Sequence, residues 1–341
     1  RLMLTLPSLV IALLAPILGH IIFKFGKKRS AIIALVIFSI SGSSGLYLDS
    51  LEILLASRAL FGVSIAILMI VSTSLVGDYF KAQSRHKFMA YQSSFMAIGG
   101  VIFVTGGGFL SDISWRYSFG IYLIGFLLLP LAITQLKEVK INTINEEEIE
   151  VSSKMYFIYF LSFCYMLIFF ILPTQIPFLL IVEFNASGKF AGTIIGCAFL
   201  ANAFGAITFA RLKNKFSYST IFLIASFIIA LGFAGVGLVT NLNLFFFTAP
   251  LLGFGGGIMM TNLTAWMLSR TTLEKRVKTS GYFTSALFLG QFSSPLIFHG
   301  LVSYLGVQDF FLFIGLSLIC IVIFFTFYLR SNISSNKNIN K

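Results

Sequence analysis

Ten long stretches of the chain carry no charged residue at all: 2–23, 30–48, 59–77, 88–111, 117–136, 155–182, 190–210, 216–269, 279–308 and 310–329. About 20 consecutive apolar residues are needed for a helix to cross some 30 Å of hydrocarbon. Nine of the stretches hold one such span each; 216–269 holds two, with a break predicted at Thr240-Asn241-Leu242-Asn243. The pattern therefore predicts eleven transmembrane helices. Strands of a membrane barrel alternate apolar and polar residues over about ten positions. These runs are continuously apolar, so the fold class is all-α membrane protein.

Composition agrees with lipid as the main solvent. Hydrophobic residues make up 57% of the 341 positions and charged residues only 11%, with a mean hydropathy of +0.95. Soluble domains carry about a quarter charged residues. The net charge of +12 raises the question of nucleic acid, and its placement answers it. Basic residues gather at Lys24, Lys27, Lys28, Arg29; Lys81, Arg85, Lys87; Lys137, Lys140, Lys154; Arg211, Lys213, Lys215; Arg270, Lys275, Arg276, Lys278; and Arg330, Lys337, Lys341. These are alternate connections and the tail; Arg1, Arg58, Arg116 and Lys189 alone fall elsewhere. That is the positive-inside distribution, which puts the basic connections and the C-terminus in the cytoplasm, against the lipid bilayer of the cell (inner) membrane. No nucleic-acid partner is expected.

With the connection at 24–29 inside, the first span starts outside. That start, and Arg in place of Met at position 1, lead to the expectation that one upstream span is missing. The longest polar connection leaves five spans before it and six after. The expected organisation is an N-terminal helical half at 1–136, a cytoplasmic linker at 137–153, a C-terminal half at 154–330 and a tail at 331–341. Internal similarity supports the division: Gly19 to Phe23 matches Gly205 to Phe209 at an offset of 186, and Ser94 to Gly99 matches Ser285 to Gly290 at 191. Inverted or parallel repeats of this kind build transporters.

Several motifs carry candidate chemistry. Gly19-His20-Ile21-Ile22-Phe23-Lys24-Phe25-Gly26-Lys27-Lys28-Arg29 joins the first two spans. Leu54-x-x-x-Arg58-x-x-x-Gly62 opens the third, and Arg58 is a charge flanked by apolar runs, a placement that costs at least about 2.5–3.5 kcal/mol on insertion scales. Gly99-Gly100 through Gly106-Gly107-Gly108 lies in the fourth, and Trp115-Arg116-Tyr117-x-Phe119 precedes the fifth. On these motifs, and on its six-plus-six plan, the chain resembles the major facilitator superfamily over essentially its whole length. Within it the chain is similar to bacterial twelve-span drug:proton antiporters and sugar-efflux-like permeases. The resemblance implies the major facilitator fold of two six-helix halves.

In the family the loop motif reads Gly-x-Leu-Ala-Asp-Arg-x-Gly-Arg-Lys/Arg, and its Asp joins a charge network that latches one state. Here both glycines and the cationic tail are kept and Phe23 replaces the Asp. Asp78 is placed like the acid that the loop cation pairs with, so a gating set of Gly19, Gly26, Lys27, Lys28, Arg29 and Asp78 is expected, against the plainer reading of two solvated charged faces. Arg58 and Gly62 form the coupling motif; Arg58 either serves a substrate or a nearby acid, or snorkels to headgroups. All twelve carboxylates lie at span ends or in loops, so no proton carrier stands out. The Gly-Pro pair of the antiporter glycine motif is also absent.

Pro173-Thr174-Gln175-Ile176-Pro177 breaks the sixth span, because proline removes a backbone donor. Gln175, with Gln92, Tyr165, Asn202, Asn262 and Gln291, makes up the candidate substrate cavity; interhelical hydrogen bonding is the alternative for each. The glycine pairs Gly192/Gly196 and Gly253/Gly257 have the spacing of close helix packing. Cys164, Cys197 and Cys320 match no metal or redox spacing. His20, His86 and His299 are too scattered for a metal site or a triad, so no metal, cofactor or catalytic set is expected. Without a Gly-x-x-x-x-Gly-Lys-Ser/Thr loop, ATP is not the direct energy source. The expectation is a secondary transporter, not an enzyme, monomeric, that moves a small-molecule substrate outward with protons. The alternatives are uptake or facilitated passage of a small solute, and a transport-inactive sensor or scaffold.

Overall fold

The computed structural model describes residues 2–80, 82–138, 153–272 and 275–339. Expectations placed on Lys81, Glu274, Lys341 and residues 139–152 of the linker, including Lys140, Glu146, Glu147, Glu148 and Glu150, lie outside the described residues. Among those described there is no strand. The helices are α1 (Leu2–Phe25), α2 (Lys27–Gly42), α3 (Leu51–Tyr79), α4 (Ala82–Ile113), α5 (Ile124–Gln135), α6 (Ser153–Phe169), α7 (Ile171–Phe178), α8 (Gly188–Lys213), α9 (Tyr218–Gly237), α10 (Phe245–Ser269), α11 (Arg276–Leu305) and α12 (Val307–Ile339). Short tight turns extend α2, α5 and α10 at Ser43–Leu46, Tyr117–Leu123 and Leu242–Leu244. A wide π-turn at Leu179–Glu183 extends α7.

These elements give the eleven expected spans, with α6, α7 and the π-turn as one. Ten are long and apolar enough to cross a membrane among the described residues, and α4 is the eleventh helix. The protein is a multi-pass membrane protein of all-α class. Large apolar side chains such as Leu127, Phe204 and Phe247 are exposed, a surface suited to lipid.

Breaks fall where the backbone loses a donor or needs a positive φ. Pro173 has no N–H for the carbonyl of Phe169, where α6 stops. Gly26 and Gly306, at φ 91° and 82°, turn the chain between α1 and α2 and between α11 and α12. The last boundary thus lies before Asp309, which sits in the first turn of α12. Where two spans share 216–269, Asn241 accepts from the amide of Asn243 at 3.0 Å and starts the turn into α10. Ser187 and Ser217 cap α8 and α9, each accepting a backbone N–H at 3.2 Å.

Backbone contacts divide the chain into two compact units. The first comprises Arg1–Met89, Ile102–Phe170 and Leu263–Leu296. Its core packs Ile11, Ala15, Leu18 and Ile22 of α1 against Ala66, Ile70, Val71 and Leu75 of α3 and Val277 of α11. The α1–α11 crossing is close because Gly19 and Gly281 face each other's backbone; a Cβ on Gly281 would meet the Ala15 carbonyl at 2.6 Å. The second unit comprises Ala90–Val101, Ile171–Asn262 and Ile297–Lys341. There Phe233 of α9 stacks on Phe311 of α12 with ring centroids 5.5 Å apart. Gly253 and Gly257 of α10 lie against the carbonyls of Ala198 and Asn202 on α8, whereas nothing lies within 4 Å of a Cβ built on Gly192 or Gly196.

Candidate functional site

α3 carries a buried charge near each end, Arg58 and Asp78, and at 1.5 Å per residue the two are about 30 Å apart along the axis. Each organises a cluster in the first unit.

At one end, the Asp78 carboxylate is wholly buried and pairs with Lys27 through one oxygen and with the Arg276 guanidinium at 3.1 Å through the other. The side chains of Lys27 and Arg276 are only 3% and 9% exposed, so this is a desolvated group of two cations on one acid. Such a group holds together only while the acid remains. Lys27 opens α2, Asp78 closes α3 and Arg276 opens α11, so three helix ends meet on one carboxylate. Gly77 makes room: a Cβ there would lie 2.8 Å from Arg276 Cδ. Of the cations expected near Asp78, Lys28 is half-buried and Arg29 exposed, and Lys27 is the one that pairs.

Three features of this end were not anticipated. Arg276 counted only as a basic residue at a span end. Glu138, just past α5, accepts the backbone N–H groups of Lys27 and Lys28 at 2.7 and 2.8 Å. Phe23, where the loop motif loses its acid, lies under the ammonium of Lys278, 5.4 Å from the ring centroid. No local signal marks these partners, because they come from connections far away in sequence.

At the other end, Arg58 does not reach out to headgroups. It is buried and donates to the carbonyls of Ser41 and Gly42 at 3.1 and 2.7 Å, where α2 passes into the tight turn at Ser43–Leu46. Phe61, Phe119 and Tyr122 surround its guanidinium at 4.9–5.6 Å. Phe119 belongs to the Trp115-Arg116-Tyr117-x-Phe119 segment, whose Arg116 pairs with Asp49 and stacks on Trp115 at 4.9 Å. Gly62, one turn on from Arg58, admits α1: its Cβ would meet the Pro7 carbonyl at 2.8 Å.

The polar residues of the candidate cavity separate into two groups. Tyr165 is buried in the first unit and stacks on Phe169 at 5.3 Å. Gln291 donates to Ser8 at 3.1 Å, linking α11 to α1. In the second unit Asn262 is buried and donates to the Tyr218 carbonyl at 3.0 Å, leaving its own oxygen unpartnered. Gln92, Gln175 and Asn202 are half-buried in that unit. Cys164 and Cys197 are half-buried free thiols and Cys320 is exposed. Among the described residues no group of three His, Cys, Asp or Glu side chains is placed to hold a metal ion.

Comparison with known proteins places this architecture. The sequence model of the Major Facilitator Superfamily matches residues 1–153 and 158–341. Multidrug resistance protein 1 of Bacillus subtilis (strain 168) is 32% identical over 137 residues, 40% of this chain and 35% of that protein. Multidrug resistance protein 2 of the same organism is 31% identical over 139 residues, 41% of this chain and 34% of that protein, so the match spans about a third of either Bacillus relative. Tetracycline resistance protein, class B, of Escherichia coli is 25% identical over 337 residues, 94% of this chain and 84% of that protein. The solved structure of the proton:xylose symporter XylE bound to 6-bromo-6-deoxy-D-glucose superposes with a TM-score of 0.77 over 94% of this chain and 84% of that one, at 13% identity, a likeness of fold alone. The family model covers nearly the whole chain and the helices of the described residues agree with it, so the chain belongs to the Major Facilitator Superfamily, a family of membrane transporters.

Proposed function

We propose that this transporter exports small amphipathic or sugar-like molecules by alternating access, driven by the proton gradient. The observation that carries the reading is the cluster on Asp78. A buried carboxylate shared by the starts of α2 and α11 is a charged latch, held by groups that water can solvate once they part, where apolar packing would hold permanently. The similarity to the tetracycline and multidrug resistance proteins supports outward movement of drug-like cargo. The two sequence halves, 1–136 and 154–330, are the proposed moving bodies, joined by the linker at 137–153. Gln92, Gln175 and Asn202 are the proposed cargo contacts. We place the protein as a monomer in the cell (inner) membrane, with its basic connections, linker and C-terminus in the cytoplasm, which the charge distribution supports.

The test is accumulation of a fluorescent dye in efflux-deficient cells expressing the protein, with and without a protonophore. Lower accumulation that the protonophore reverses supports proton-driven export. Flux that persists with the protonophore moves the reading to facilitated passage, and no flux of dyes or sugars moves it to a transport-inactive scaffold.

A further inference from the structure

α2 starts without a cap of its own. Its N-cap is Gly26, which has no side chain to offer, yet the first amides of a helix need acceptors. The amides of Lys27 and Lys28 find them on the two oxygens of one carboxylate, Glu138, at 2.7 and 2.8 Å. Gly26 makes the approach possible: at φ 91° a side chain would be strained, and its Cβ would press on the Glu138 carboxylate at 3.2 Å. Glu138 is not part of the loop that it caps. It lies just past α5, where the long polar connection begins. The residue before it is held as well. The Lys137 amide donates to the Tyr79 hydroxyl at 3.0 Å, and that hydroxyl donates to the Lys137 carbonyl at 2.6 Å. Tyr79 follows Asp78 directly. A two-residue segment therefore grips the backbone of Lys27 on one side and the neighbour of Asp78 on the other.

We infer that Glu138 is a positioning residue for transport. By fixing the first turn of α2 it aims the Lys27 ammonium at Asp78, and it makes that ion pair depend on where the polar connection starts. A carboxylate at a helix N-terminus also complements the dipole, so the cap is favourable in itself. The inference rests on the transport reading only for its kinetic consequence.

The experiment uses the full chain in lipid nanodiscs as wild type, Glu138→Ala and Glu138→Gln. Hydrogen exchange is followed at the amides of residues 27–30 and, for reference, in α9. An amine-reactive label on Lys27 is quantified by mass spectrometry, and dye efflux is measured in cells. Glu138→Ala is expected to speed exchange of the Lys27 and Lys28 amides about five- to tenfold, the size of a lost cap, with α9 unchanged. Lys27, shielded in the wild type, becomes labelled, and maximal efflux falls severalfold at an unchanged KM. Glu138→Gln, which keeps one acceptor oxygen in place, falls between, and decides the matter if the alanine variant does not fold. Unchanged exchange overturns the inference. So does faster exchange with Lys27 still unlabelled, which would make Glu138 a cap and nothing more. A wild type that moves neither dye nor sugar defeats the transport reading, while exchange and labelling still decide the role of Glu138.

Discussion

Ser285 donates its hydroxyl to the backbone carbonyl of Ala12 where α11 crosses α1. Moving both residues by 191 positions gives Ser94 and Ala203, and Ser94 donates to the Ala203 carbonyl at 3.0 Å, from α4 to α8. The next contact repeats too: Gln291 meets Ser8, and at the same offset Gly100 lies beside Phe199. The internal repeat is thus realised as one crossing built twice, once in each unit. The copies differ in one respect. Residue 16 is proline, so the Ala12 carbonyl has no helical donor and depends on Ser285, while the Ala203 carbonyl faces the amide of Ile207. Ser285→Ala should therefore cost more, about 1–2 kcal/mol, than Ser94→Ala at about 0.6 kcal/mol. Unfolding of the two variants in mixed micelles measures both, and equal shifts would remove the role given to Pro16.

Arg58 is recognised by shape as well as charge. Two carbonyls of α2 take one nitrogen of its guanidinium, and the guanidinium carbon lies over three aromatic rings. A lysine keeps the charge but loses the flat donor face. Arg58→Lys is expected to destabilise the protein by about 1–3 kcal/mol, and Phe119→Leu by about 0.5–2 kcal/mol through the lost cation–π contact. A thermal shift of Arg58→Lys indistinguishable from wild type would return Arg58 to the role of a headgroup-seeking charge.

The spans were legible because hydrocarbon imposes a length and forbids charge, and both are written in the order of residues. So were the breaks at Pro173 and at Asn241. The helices nevertheless run past the charge-free stretches: α3 covers Leu51–Tyr79 although 59–77 was the uncharged part, since Arg58 finds acceptors inside the fold. The site was legible in part. Hydropathy reports that a cation stands at a span end but not which acid it meets. Lys27 and Asp78 are 51 residues apart, whereas Arg276 is 198 residues from Asp78. Asn262 and Gln291 show the same limit from the other side. A polar side chain in an apolar run announces that it has a partner, and each helical step of about 100° changes which neighbour that is.

Two glycine pairs with one spacing have opposite surroundings. Gly253 and Gly257 sit against α8 carbonyls with no room for a methyl group. Ala at either should force α8 and α10 apart, at a cost of about 1–3 kcal/mol for overpacking. Ala at Gly192 or Gly196 meets open space and should leave stability unchanged or raise it by up to about 1 kcal/mol through helix propensity. Melting temperatures of the four single variants test this, and a loss at Gly192 as large as at Gly253 would show a packing partner for that face.

The cluster on Asp78 has an unequal logic that a double-mutant cycle can read. Removing Lys27 leaves Asp78 with Arg276, still one acid and one base. Removing Asp78 leaves two buried cations facing each other with no acid between them. Breaking a buried pair from the side that strands charge costs about 3–5 kcal/mol. Asp78→Ala should therefore destabilise by that amount, and Lys27→Met by markedly less. Once Asp78 is gone, Lys27→Met should become stabilising, because it removes one of the stranded charges. A coupling energy between positions 27 and 78 near zero would mean that the two meet without depending on each other. If the cluster latches one state, Lys27→Met should also lower export by a protein that still folds. An equal loss of export and of folded protein would reduce it to a structural rivet.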